Sequence, residues 1–161
     1  MAGDDAPVRR EFPGSLMAVR SVIDVGGRLS HVTARRAGLS DSELVALEHL
    51  AAEPLGPAEL ARRLAITTAA ATGVVDRLAQ RGHVERRPHD GDRRRVAVRL
   101  TDRGYADLRA RLQATFDDLL AWDAGFDEDE RALVERYLAG VAGVLERAAA
   151  REAAQPPPSE A

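Results

Sequence analysis

The feature that most constrains the fold lies in the middle of the chain, where two short helical patterns are joined by a tight turn. Pro57 suits the first turn of a helix over about residues 57–64. Thr67 is a suitable N-cap for a second helix, over about residues 68–80, which Gly82 ends. Two short helices in this arrangement are typical of a helix-turn-helix, although ordinary helical pairs imitate the pattern.

Two short segments rich in β-branched residues follow at once, at residues 84–87 and 95–100. Turn-forming residues lie between them: Pro88, Asp90, Gly91 and Asp92. In the second segment, alternation predicts a half-buried strand. Its apolar positions are Val96, Val98 and Leu100, which alternate with Ala97 and Arg99. A hairpin directly after a helix-turn-helix predicts a winged helix, in which one helix enters the major groove of DNA and the hairpin reaches along the backbone or the minor groove.

The positive charge of the chain is concentrated in this same part. Residues 62–103 hold eleven arginines against five acidic residues, a net charge of +6, while the other 12 arginines and 21 acidic residues leave −9. All 23 basic residues are arginine, whose planar guanidinium suits phosphate and guanine. The overall net charge is −3, so the chain is strongly polarised, which favours docking of a polyanion on one face.

A first helix precedes this segment. Ser15 is its predicted N-cap, and Gly38 closes it. The pair Gly26 and Gly27 interrupts the helical pattern, since each glycine costs about 1 kcal/mol relative to alanine. Close packing against another helix and a bend are both consistent with such a pair.

Three further helices begin with clear signals. Ser40 and Glu43 form a capping box, Thr101 is a predicted N-cap, and Asp127 with Glu130 forms a second capping box. Their apolar positions are, in chain order, Leu44, Leu47 and Leu50; Tyr105, Leu108, Leu112, Phe116 and Leu119; and Leu133, Val134, Tyr137, Leu138, Val141, Val144 and Leu145. The last face is too wide for one chain to bury, which favours a homodimer.

What the sequence lacks disfavours several classes of protein. Cysteine is absent, so disulfides, thiolate metal sites and cysteine nucleophiles are excluded. There is no GxSxG, P-loop or GxGxxG pattern, and the four histidines lack metal-ligand spacing. The N-terminus has no apolar signal region, and no run of 18 apolar residues occurs, so we expect a soluble cytoplasmic protein. We therefore expect no enzyme activity, no metal and no cofactor, and a winged helix used only for protein contacts would not explain the arginines.

Residues 76–104, DRLAQRGHVERRPHDGDRRRVAVRLTDRG, resemble the MarR (multiple antibiotic resistance regulator) family of winged-helix repressors. The family's Asp-x-Asp-Arg-Arg motif stands at residues 90–94, and its Val-x-Leu-Thr-x-x-Gly motif at residues 98–104. The order of elements matches over about residues 15–150. The resemblance implies a sequence-specific DNA-binding transcriptional regulator whose default role is repression and which has no enzyme activity.

The resemblance also implies which residues contact DNA. The wing residues that reach DNA are Arg93, Arg94 and Arg95, oriented by Asp90 and Asp92. The positions that enter the major groove are Thr67, Thr68, Ala69 and Thr72. Arg77 lies farther along the same helix, placed either for a phosphate or for an internal ion pair. The family is usually richer in Ser, Arg or Gln on this helix, so we expect the wing and the shape of DNA to carry more of the selectivity here.

The expected architecture is mainly α with a small β-hairpin wing. Residues 1–14 form a flexible arm, residues 15–152 the MarR-like domain, and residues 153–161 a disordered tail. Within the domain, the winged helix-turn-helix covers about residues 40–100, and dimerisation helices cover about residues 15–37 and 101–150. A two-fold dimer implies a palindromic operator in double-stranded DNA.

A small-molecule effector is the last expectation. By resemblance, a small and often anionic aromatic or phenolic acid would bind between the dimer core and the winged helix. The polar candidates near that region are Arg20, Arg28, His31 and His49, for each of which a structural or solvated role stays open. Without cysteine, relief of DNA binding by thiol oxidation is excluded.

Overall fold

The computed structural model describes residues 12–89 and 92–154, without the side chains of residues 89 and 92–95. The predicted N-terminal arm and C-terminal tail therefore lie almost entirely outside the described residues, as does the tip of the predicted wing. Within the described ranges, no helix is both long enough and apolar enough to cross a membrane.

The described part is mainly helical with one antiparallel hairpin, which confirms the predicted fold class. The elements are α1 (Gly14–Ala37), α2 (Asp41–Ala52), α3 (Pro57–Arg63), α4 (Thr68–Gln80), β1 (Val84–His89), β2 (Asp92–Leu100), α5 (Asp102–Asp123) and α6 (Glu128–Ala153). They fall into two compact units, one ending at Arg111 and the other beginning at Leu112, so that α5 contributes to both. Each unit is described by itself below.

Most predicted helix ends are confirmed because local hydrogen bonds determine them. Both capping boxes are formed, and the Thr67 hydroxyl accepts a hydrogen bond from the Ala70 amide. Gly38 adopts the left-handed conformation that ends α1. The prediction for Ser15 is wrong: α1 already begins at Gly14, and its N-cap is a proline that provides no side-chain hydrogen bond.

The first unit has its core where α2, α3, α4 and β2 meet. Its largest fully buried side chains are Leu44, Leu60, Val75, Leu78 and Val98. Two backbone hydrogen bonds of 3.0 and 2.8 Å join Leu55 to Val98, so the segment before α3 pairs with the hairpin as a single bridge. The helix-turn-helix and the hairpin therefore share one apolar core.

The hairpin differs from the prediction in length and in burial. Both strands extend farther toward the tip than expected, and Pro88 is part of β1. Ala97 is buried beside Val98, whereas Val96 is exposed. Burial thus decreases along β2 as the strand leaves the core, and the expected simple alternation is wrong.

The junction between the hairpin and α5 explains the Thr-x-x-Gly sequence. The Thr101 hydroxyl donates to the Gly82 carbonyl over 2.7 Å and accepts from the Gly104 amide over 3.0 Å. Gly104 packs so closely on the His83 carbonyl that a Cβ there would overlap it. The start of α5 is therefore fixed against the turn that follows α4.

The helix α1 runs without interruption through Gly26 and Gly27. A Cβ at either glycine would meet nothing within 4 Å, so within the described residues no other helix packs closely on this pair. Ala34 is the one buried residue of α1, and α6 has none. Both helices nevertheless carry apolar faces, which are thus exposed in the single chain.

Candidate nucleic-acid interface

The helix α4 has one buried face and one open face. Val74, Val75 and Leu78 are buried, as predicted from their spacing. The four residues predicted to enter the major groove are all exposed near the start of the helix: Thr67, Thr68, Ala69 and Thr72. Because side chains on this face are small, the helix backbone can approach another surface closely.

The three threonines of this face differ in what their hydroxyl groups already bind. Thr67 accepts the capping hydrogen bond from Ala70 over 3.2 Å. Thr72 donates to the carbonyl of Thr68 over 2.9 Å, which leaves its hydroxyl oxygen as an acceptor. Within the described part of the chain, the Thr68 hydroxyl has no partner, so it is the freest donor on this face.

The turn before α4 holds one residue in a backbone conformation that is unusual for an alanine. Ala65 has a φ of 52°, in the left-handed region. The amide of the next residue, Ile66, donates to the Ala61 carbonyl over 3.1 Å and so closes the end of α3. This left-handed residue sets the angle at which the chain enters α4.

Arg77 lies in an ion pair, one of the two roles that its sequence position left open. Its Nε donates to Oε1 of Glu43 over 2.7 Å, while about half of its side chain stays exposed. Glu43 is only 2 % exposed. Burial raises the pKa of Glu43, but the Ser40 amide and the guanidinium groups of Arg77 and Arg81 outweigh this, so the net pKa is lowered and the carboxylate is charged.

A second set of ion pairs connects α4 to the base of the hairpin. Asp76 accepts from Arg86 over 2.7 Å. Glu85 lies between Arg87, at 2.9 Å, and Arg99, at 3.6 Å. The hydrogen bond from Arg87 is the main cause of a lowered pKa of Glu85. The arginines at the hairpin base are thus paired internally.

The residues predicted at the wing tip have no side-chain contacts that can be described. Arg93, Arg94 and Arg95 belong to β2, but their side chains, like that of Asp92, lie outside the described residues, as does Asp90. Their predicted contacts with DNA stay predictions.

Two of the predicted ligand residues take part in ion pairs at exposed positions. His31 pairs with Asp41 through atoms 3.0 Å apart, and Arg20 lies 3.9 Å from Asp24, both at exposed positions. A cleft of about 540 Å³ lies instead where the ends of α1 and α4 meet α5. Its charged and polar lining includes Gln80, Arg81, His83, Arg103, Asp107 and Arg111, and none of Arg20, Arg28, His31 and His49 lines it. Within the described ranges, no three side chains are grouped to hold a metal ion.

Sequence analysis missed the burial of Glu43 and its ion pair with Arg77. The available signal was the spacing of Arg77 and Arg81, which lie on one face of α4 at i and i+4. The sequence does not show that this face is turned toward the capping box, because Arg77 and Glu43 are 34 residues apart and meet only in the folded chain.

The chain is similar to known regulators along most of its length. A model of the MarR family matches residues 37–95. The HTH-type transcriptional repressor YetL of Bacillus subtilis is 32% identical over 131 residues, which cover 78% of each chain. The HTH-type transcriptional regulator PecS of Dickeya dadantii is 30% identical over 87 residues, 54% of this chain and 52% of its own.

Solved structures give the same result. MarR of E. coli in its apo form has a TM-score of 0.58 and 28% identity, covering 82% of this chain and 98% of that one. A cysteine-to-serine mutant of that MarR, in complex with operator DNA, has a TM-score of 0.53 and 28% identity over 78% of this chain and 91% of that one. The chain folds as a winged helix and is similar to transcriptional repressors over most of its length. It therefore belongs to the MarR family of transcriptional regulators, which are not enzymes.

Proposed function

We propose that this regulator is a homodimeric repressor that binds a palindromic operator and is released from it by a small anionic ligand. The observation that carries the proposal is the open face of α4, where small exposed side chains lie on a helix whose opposite face is firmly buried. Such a helix can enter the major groove while its buried face stays packed on the core. The similarity to a MarR structure in complex with operator DNA supports this use of the fold.

In the proposed complex, the contacts divide between α4 and the wing. Thr68, Ala69 and Thr72 contact base edges, and Thr67 holds the start of the helix through its cap. Arg93, Arg94 and Arg95 neutralise phosphates, with Asp90 and Asp92 orienting them. The arginines at the hairpin base already have carboxylate partners, so the proposal assigns the phosphate contacts to the arginines of residues 93–95.

The exposed apolar faces support a homodimer. They occur in both compact units, on α1, α5 and α6: Leu16, Met17, Val22, Ile23, Val25, Leu29 and Val32; Tyr105, Phe116, Leu119, Leu120 and Trp122; Leu133, Val134, Tyr137, Leu138, Val144 and Leu145. Exposed apolar surface of this extent marks a protein interface. A second copy of the chain supplies the same faces and places two α4 helices about 34–36 Å apart on DNA.

The cleft at the ends of α1 and α4 supports a response to an anion. Its volume of about 540 Å³ is in the range of small-molecule sites, and three arginines face one carboxylate in its lining. Arg111 has no ion-pair partner within the described residues. A carboxylate or phosphate group bound there would meet at least one free guanidinium. We propose the cleft as the first place to test for a ligand, while a ligand contact by Arg20, Arg28, His31 or His49 stays a prediction.

Operator binding is tested by selecting DNA from a random library with the purified protein and footprinting the product. A two-fold symmetric sequence with half-sites one helical turn apart is expected. Sedimentation of the free protein should give about 35 kDa, twice the mass of the 17.4 kDa chain. A folded monomer, or selection of DNA without symmetry, would overturn the proposal.

The wing is tested by Arg94→Ala, with Arg36→Ala on the exposed end of α1 as the matched control for loss of one positive charge. Arg94→Ala should weaken operator and non-operator DNA alike and lower the slope of log affinity against log salt by about one unit. The control should leave that slope unchanged. Equal behaviour of the two variants would show that the tip arginines do not contact phosphates.

A further inference from the structure

Glu43 is an unusual member of a capping box because its side chain is buried. The matching residue of the second capping box, Glu130 at the start of α6, makes the same hydrogen bonds while exposed. Capping alone therefore does not require burial. Among the described residues, Glu43 is also the only charged residue that is buried, which is costly for a carboxylate unless it is fully paired.

The partners of Glu43 connect two places in the fold. Oε2 accepts the Ser40 amide at 2.8 Å, at the corner between α1 and α2. Oε1 accepts Nε of Arg77 at 2.7 Å, on α4. One turn farther, at the C-cap of α4, Nη1 of Arg81 lies 3.9 Å from Oε2 of Glu43 and donates to the Gly38 carbonyl over 2.6 Å. The carboxyl-terminal half of α4 is thus attached at two successive turns to the residues between Gly38 and Glu43.

Attachment at this end of α4 controls the position of the other end. The helix has 13 residues and is therefore about 20 Å long. A tilt of about 5° at the attached end moves the exposed threonines by about 1 Å, and hydrogen bonds to base edges tolerate less than that. The apolar packing holds the middle of α4 on the core, and the charge-assisted hydrogen bonds add directional contacts at its carboxyl-terminal end.

We infer that Glu43 is a positioning residue, which holds the recognition helix α4 through Arg77 and Arg81 at the angle that fits the operator. Glu43 itself does not contact DNA. Its replacement therefore reduces the discrimination between operator and other DNA, and between operators of different half-site spacing, while the number of phosphate contacts is unchanged. The inference rests on the proposed operator binding and concerns its specificity.

The test compares Glu43→Gln with Glu48→Gln, which makes the same chemical change on the same helix at a residue without an ion-pair partner among the described residues. Glutamine keeps the capping hydrogen bond to Ser40 but not the charge that holds Arg77. Affinities are measured by fluorescence anisotropy for the selected operator, for versions with the half-site spacing changed by one base pair, and for unrelated DNA. All measurements are made well below the melting temperature of each variant.

For Glu43→Gln we expect about a tenfold loss of the operator preference and a flatter dependence on half-site spacing, with the same salt slope as the wild type. Glu48→Gln should retain the full preference. If Glu43→Gln lowers the affinity for all DNA equally, or keeps the spacing dependence, the inference is wrong. If the wild type itself has no operator preference, the proposed function fails instead.

A second variant keeps the test decisive if Glu43→Gln does not fold. Arg81→Gln removes the attachment to the Gly38 carbonyl and leaves the ion pair of Glu43 and Arg77 intact. It should also flatten the dependence on half-site spacing, by a smaller factor. Combining Arg81→Gln with Glu43→Gln should add little, because both changes release the same end of α4. Full additivity, or an unchanged spacing preference in Arg81→Gln, would contradict the inference.

Discussion

The helices α4 and α6 are both amphipathic, yet they obtain their stability in different ways. In 13 residues, α4 has four buried residues within its own unit, whereas α6 has none in 26. The difference is in packing, since both helices have a good N-cap that accepts a backbone hydrogen bond. The core of the winged helix is therefore complete within one chain, whereas in the proposed dimer a second copy would cover the terminal helices. Local helix signals are equally clear in both regions and do not distinguish them.

The largest expected effect on stability comes from truncating one leucine in α4 and one in α6. Leu78 is 0 % exposed and Leu138 is 49 % exposed. We expect Leu78→Ala to lower the free energy of unfolding by about 2–5 kcal/mol, independently of protein concentration, because it leaves a cavity. Leu138→Ala should act mainly on the concentration dependence of unfolding, since it weakens association.

Urea unfolding at two protein concentrations, about a hundredfold apart, measures both variants. If the effect of Leu138→Ala is independent of concentration and as large as that of Leu78→Ala, the proposed distinction between the two regions is wrong.

A second pair of variants compares two helical glycines. Gly104→Ala should destabilise the protein by about 1–3 kcal/mol or more, because the added Cβ overlaps the His83 carbonyl and the start of α5 must move. Gly140→Ala on α6 meets nothing within 4 Å in the single chain, so helix propensity alone should stabilise it by about 0.5–1 kcal/mol. Thermal unfolding of both variants decides this. A destabilising Gly140→Ala would show that a partner helix approaches there closely.

The response to acid should come in part from the winged helix. The pKa of Glu43 is lowered, and hydrogen bonds from Arg62 and Arg63 lower that of Glu59 from 4.5 to about 2. A lowered pKa means that the unfolded chain binds more protons, so these residues contribute stability above about pH 4.5 that is lost as the pH falls toward 2. Burial raises the pKa of Glu48, so the contribution of Glu48 to stability changes with pH in the opposite direction.

Unfolding free energies measured between pH 3 and 7 on wild type, Glu43→Gln and Glu48→Gln check these signs. Relative to the wild type, Glu43→Gln should flatten the decline toward low pH, and Glu48→Gln should steepen it. The opposite order would mean that the buried carboxylate is not charged in the folded protein.

The smallest effect concerns the turn before α4. Ala65→Gly should stabilise the protein slightly, by about 0.5 kcal/mol, because release from the left-handed conformation outweighs the greater chain entropy of glycine. Ala139→Gly, at an exposed helical position of α6, should instead cost up to about 1 kcal/mol. Differential scanning calorimetry can compare the two. The same sign for both would show that Ala65 is not strained.

Sequence analysis predicted the elements of the winged helix closely because their boundaries depend on neighbouring residues. The bounds expected for α4, residues 68–80, are those observed, since Thr67 and Gly82 determine them locally. The burial of Ala97 and the exposure of Val96 were not predicted, because they depend on how far β2 extends beyond the core.

The sequence predicted which residues of the candidate site are exposed better than it predicted which residues contact one another. The exposed threonines follow from helical spacing, but the pairing of Arg77 with Glu43 joins residues that are 34 positions apart. The cleft beside Arg111 likewise brings together three helices, which no local pattern indicates. Contacts between segments that are distant in the chain therefore could not be predicted from the sequence.

The bridge between Leu55 and Val98 has a mechanical consequence. Its two backbone hydrogen bonds connect the base of the hairpin directly to the segment that leads into α3. A force applied to the hairpin is therefore carried into the helix-turn-helix without passing through α5. Because the hairpin base and the helix pair also share one apolar core, we expect them to move together when the wing is loaded.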